Sequence, residues 1–130
     1  MSSAGGRRSP CPAQGQATVE VALVLPVVLG LVLAVVQIGL VARDQLLLIH
    51  AAREAARAAA VDPTLDGASS AARAAGGLQP DRLDVVLGPA RAPGERLVVA
   101  VTYTAPTDVP LVGLLVPDVE LRSEVTVRVE

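Results

Sequence analysis

The chain is nearly devoid of aromatic residues: Tyr103 stands alone, and phenylalanine and tryptophan are absent. Lysine and asparagine are missing too, so all 11 basic residues are arginine. Joint loss of Lys, Asn and Phe reads as codon bias in a GC-rich genome, and the arginine preference carries no chemistry of its own. One cysteine and one histidine leave neither a disulfide nor a Cys/His metal cluster. The 13 acids and 11 bases give a net charge of -2, and no basic stripe is interleaved with aromatics, which excludes a nucleic-acid footprint. Intrinsic disorder is excluded from the other side, because 52% of the 130 residues are hydrophobic. A membrane-anchored or assembly protein of one small domain's length is left, and the placement of the apolar residues decides between the two.

That placement is uneven. From Val21 to Ala42 run 22 consecutive uncharged residues, VALVLPVVLGLVLAVVQIGLVA, of which 18 are Ala, Val, Ile or Leu. As a helix the run extends about 33 Å, enough to cross the roughly 30 Å hydrocarbon core of a bilayer. A buried helix of a soluble protein is excluded because so small a chain has too little other apolar material to wrap it. Pro26 removes a backbone donor and Gly30, one turn later, adds backbone freedom. Either the helix sits among neighbours that satisfy the freed carbonyl, or this is the ordinary tolerance of membrane helices for Pro and Gly. A cleavable secretory signal does not fit, since an h-region spans only about 7–15 residues and no small-x-small cleavage site follows. Cys11 precedes the run, whereas a lipoprotein cysteine would follow it. Residues 1–19 carry Arg7 and Arg8 and no acid, which favours a cytoplasmic N-terminus and an extracytoplasmic C-terminal part.

Immediately before the run stands GQATVE, residues Gly15 to Glu20. A carboxylate at the mouth of an otherwise uncharged membrane segment is costly and is a functional candidate by default. A cut after Gly15 would give Gln16 a positive amine, one helical turn from the Glu20 of a neighbouring, axially shifted copy, and the pair would neutralise both charges. A short basic leader, Gly at the cut, Glu five residues on and then a long apolar helix resemble the prepilin signal of type IV pilins. More narrowly, QATVE with ALVLP, RDQL from Arg43 and HAAREAARAAA from His50 resemble the TadE-like family of minor pseudopilins from tight-adherence (Flp) pilus systems. The resemblance covers residues 14–61 and reaches the remainder only in general pattern. It implies a leader over 1–15, cleavage between Gly15 and Gln16 by a membrane prepilin peptidase, and an assembly role for Glu20. It further implies other pilins, the pilus assembly platform and membrane lipid as partners, residence in the bacterial cytoplasmic membrane, and no cofactor. Many members carry an aromatic right after the Glu, where this chain has Val21.

Beyond the apolar run, Arg43 to Val61 contain no Gly or Pro and are rich in strong helix formers. At 100° per residue Arg43, His50, Arg53, Glu54 and Arg57 share one third of the wheel, opposite a small-residue strip of Leu48, Ala52, Ala55 and Ala59. Asp62–Pro63 stops this helix, which therefore spans 16–61 with its transmembrane part at 21–42. Residues 62–130 make a head: a second helix at 64–75 closed by Gly76–Gly77, then three strands. Leu83–Leu87, Arg96–Thr104 and Val119–Val129 all alternate, and the middle one, apolar on both faces, belongs at the centre of an antiparallel meander. The fold class is thus α+β, pilin-like, with the sheet resting on the long amphipathic helix. Between the last two strands lies Pro110-LVGLLV-Pro117, too short to span lipid. It either covers the end of the sheet or offers an exposed patch to a partner or to the bilayer surface.

Catalysis finds no support. There is no nucleophile with a base, no metal set and no Gly-rich phosphate loop, and His50, alone on a polar face, is assigned no chemistry. After removal of the leader, 9 Arg face 13 acids, a mildly acidic head of no obvious ligand class. The competing reading is an uncleaved single-pass membrane protein with a small extracytoplasmic binding domain.

Overall fold

The computed structural model describes residues 13–89 and 92–130; Arg7, Arg8 and Cys11 of the expected leader lie outside them. One helix, α1, runs unbroken over Ala13–Val61. At 1.5 Å per residue its 49 residues reach about 73 Å, more than twice the thickness of a bilayer core. Ala13–Gly15, ahead of the expected start at Gln16, are already helical; nothing in AQGQA enforces a stop, and one glycine costs only about 1 kcal/mol. Pro26 is accommodated inside it.

The two halves of α1 live in different surroundings. Through the apolar segment almost every side chain is bare, Leu23, Leu25, Val27 and Leu31 among the most exposed. The helix is long and apolar enough to cross a membrane, and it is not the buried core helix of a soluble protein. From Leu48 onward the small-residue strip turns inward: Leu48, Ala51, Ala52, Ala55, Ala56 and Ala59 are buried. Arg43, His50, Arg53 and Arg57 are exposed on the other side, with Arg57 and Glu54 paired at 3.5 Å.

The chain then reverses at Asp62–Pro63 into α2, Leu65–Ala74. Thr64 caps this helix by accepting a hydrogen bond from the Gly67 amide at 3.3 Å, and Asp66 lies in its positive first turn. At the other end Gly76 and Gly77 take φ of 76° and 84°, the left-handed stop expected of a glycine pair. α2 buries Ala68 and Ala72 toward α1, so the two helices meet through alanines and approach closely.

A short 3-10 turn at Pro80–Arg82 leads into β1 (Leu83–Leu87), β2 (Arg96–Ala105) and β3 (Val119–Arg128). The three form one antiparallel sheet in the order β1-β2-β3, the expected meander with the doubly apolar strand at its centre. The inner face pairs Leu83 with Tyr103 and Tyr103 with Leu121, then Val85 with Val101 and Val101 with Ser123. Leu97, Val99, Val101 and Tyr103 are buried against the alanine strip of α1. β3 alternates as expected, but its inward residues from Val119 to Val127 are only half-buried, whereas Leu83 and Val85 of β1, the other edge strand, are buried. Outward stand Asp84, Thr102 and Arg122, with Arg122 ion-paired to Glu124. The last residues tie the sheet to the helix: the Glu130 amide donates to the Ala60 carbonyl at 3.0 Å.

Candidate functional site

The site foreseen in the sequence occupies the first two turns of α1. Gly15, Gln16 and Glu20 are all exposed. Gln16 and Glu20, four apart, share one side of the helix. A Cβ added at Gly15 would meet nothing within 4 Å, so packing inside the molecule does not demand a glycine there. Glu20 lies on a strip with Ala17, Val21, Val24 and Val28. Among the described residues no cation pairs with it. The nearest acid or base along the helix is Arg43, 23 residues or about 35 Å further on. The arrangement is a single carboxylate bordering a bare apolar rod, an acceptor that gains most from a cation delivered by another helix.

A second polar group in the apolar run escaped notice in the sequence. Gln37 is only 6% exposed, and neither its Oε1 nor its Nε2 has a hydrogen-bond partner. It lies in a groove where Ile38 and Val41 of α1 face Val112, Val116 and Leu121 of the head. The signal was present: Gln37 is the one side-chain amide between Val21 and Ala42. What covers it follows from tertiary contact alone.

Two residues of the proline-bracketed stretch, Val112 and Val116, line this groove, and the stretch is clamped at its base. The Asp118 carboxylate accepts from the Thr107 amide at 3.1 Å and from the Arg82 guanidinium at 2.9 Å, and the Thr107 hydroxyl donates to the Pro117 carbonyl at 3.1 Å. The Thr107 amide, assisted by Arg82, holds the Asp118 carboxyl below its usual range. Gly113 fits because it passes so close to the Thr107 carbonyl that an added Cβ would come within 2.5 Å of that oxygen. Val112 and Val116 border the groove over the helix, while Leu114 and Leu115 are 85% exposed.

His50 is exposed on α1, and among the described residues no three His, Cys, Asp or Glu side chains converge as a metal site would require. Residues 15–57 match the family model described as TadE-like protein. No curated protein and no solved structure matches the chain.

Proposed function

We propose that this chain, TadE-like over residues 15–57, is a minor pseudopilin that supports assembly of a Flp-type pilus once a prepilin peptidase has removed its leader. The observation carrying this reading is Glu20, a lone carboxylate at the mouth of a bare apolar helix and four residues from Gln16. Uncut, the precursor is an ordinary membrane-anchored protein, with Arg7 and Arg8 retained on the cytoplasmic side. Hydrolysis of the Gly15–Gln16 bond creates the amine of Gln16. A second copy displaced by four residues, about 6 Å along the axis, brings that amine level with Glu20. In apolar surroundings the pair cancels two charges that are each costly alone, so one axial offset between helices is favoured over all others.

The position of the cut suits a protease. The bond lies close to the N-terminal end of the described part of α1. Gly15 lowers helix propensity there and fills no internal packing need, so its smallness serves a protease pocket. On this reading the peptidase, neighbouring pilins and the assembly platform are the partners. The N-terminus is cytoplasmic, and the head, residues 62–130, is extracytoplasmic.

Intact-mass measurement of protein extracted from native membranes tests the proposal. A mature chain beginning at Gln16 is expected, and replacing Gly15 by a bulky residue should leave the precursor uncut. A native chain still beginning at Met1 or Ser2 would leave an uncleaved single-pass protein and overturn the assignment.

A further inference from the structure

Between Asp108 and Asp118 lie nine uncharged residues, VPLVGLLVP. In a water-soluble head such a stretch would be folded under. Here Leu114 and Leu115 are 85% exposed and Leu111 59%. Leu111 is also held at a φ of 70°, a conformation that a branched side chain adopts at a cost. The segment is turned in on itself: the Gly113 amide donates to the Val109 carbonyl at 3.1 Å, and the Leu115 and Val116 amides donate to Val112 at 3.0 and 2.9 Å. Pro110 and Pro117 have no amide to satisfy, so five of the nine positions present no free N–H.

Its height along α1 is given by the groove that it lines. Val112 and Val116 border the groove with Gln37, Ile38 and Val41. Val41 lies 21 residues beyond Glu20, about 32 Å along the axis, where a bilayer core of roughly 30 Å that begins at Glu20 ends. The first charge of the outer half, Arg43, follows two residues later. The segment that carries the exposed leucines therefore stands across a groove from the apolar helix, at the level where hydrocarbon gives way to headgroups. Internally bonded amides and absent charge are what that zone admits, since unsatisfied backbone groups are costly in lipid.

We infer that the Pro110–Pro117 segment is a second membrane contact that inserts Leu111, Leu114 and Leu115 into the outer interface of the bilayer and seats the head on the membrane beside α1. The inference rests on α1 spanning the bilayer, though not on cleavage or pilus assembly. Its occupant is lipid rather than protein, because the patch stands beside the exposed apolar helix, with Val112 and Val116 facing Ile38 and Val41 across one groove.

The test uses the full chain in phosphatidylcholine–phosphatidylglycerol vesicles. Cys11 is replaced by Ser, and single cysteines carrying an environment-sensitive fluorophore are placed at Leu114, Leu115, Val28 and Thr126. Spin-labelled lipids with shallow or deep nitroxides act as quenchers. Labels at Leu114 and Leu115 should shift to the blue and be quenched more by the shallow nitroxide. Val28 should be quenched more by the deep one, and Thr126, exposed on β3, by neither. Quenching at Val28 with solvent-like emission at Leu114 and Leu115 overturns the inference and leaves the spanning helix intact. A blue shift at the two leucines without lipid quenching also overturns it, in favour of contact between copies. An unquenched Val28 removes the premise and the inference together.

Discussion

Glu20 and Asp118 are both exposed carboxylates, and their neighbours set them apart. Asp118 receives the Thr107 amide and the Arg82 guanidinium. With its folded pKa held below the ordinary carboxylate range, its hydrogen bonds are fully present above the unfolded value of about 3.9 and are lost as pH falls through the lower folded one. Between pH 5 and 8 the clamp should not respond to pH, and in stronger acid it should open. In detergent micelles the Thr107 amide resonance should titrate below the usual aspartate range, and Asp118→Asn should remove that titration. Glu20 has no cation to stabilise its charge among the described residues. Glu20→Gln should therefore leave membrane insertion and head stability unchanged while reducing pilus-associated protein about tenfold, equivalent to ~1.4 kcal/mol of helix–helix pairing. Immunoblots of sheared and membrane fractions separate the two effects.

Among the elements, the junction of α1 with α2 and the sheet is built on small side chains. Ala51, Ala52, Ala55, Ala59, Ala68 and Ala72 are all buried, and Ala55 has no exposure at all. Ala55→Leu should destabilise the head by about 1–3 kcal/mol through overpacking, whereas Ala58→Leu, at a half-buried neighbour, should cost less. Thermal melts in mild detergent compare the two. These elements were largely legible in the sequence, because each is governed by local periodicity: the uncharged run, the alanine strip, the Asp62–Pro63 stop, the glycine pair and the alternation of three strands. Pairing order followed from one further fact, that β2 alone is apolar on both faces. Non-local features were illegible. The clamp joins Arg82 to Asp118 across 36 positions, the positive φ of Leu111 has no glycine to announce it, and Gln37 is covered by residues some 75 positions away. At the N-terminus the residue types of the candidate site could be read directly, since Glu20 departs from an otherwise uninterrupted pattern.

At the scale of the whole molecule, the apolar half of α1 adds almost nothing to the core of the head, which begins at Leu48. A fragment starting at Arg43 should therefore fold without detergent. Its melting temperature should lie within about 4 °C of the full chain's, a difference of roughly 1 kcal/mol for a head of this size, with circular dichroism as the measure. Loss of cooperativity in that fragment would show that the groove around Gln37 contributes more than its few side chains suggest. α1 enters the head without any linker: the stretch Arg43–Val61 holds no Gly or Pro, and the far end is bonded to Glu130. Such a molecule behaves as a lever rather than a ball on a string. A tilt imposed on the buried end is delivered undiminished to the sheet, and axial traction reaches the head along its own spine.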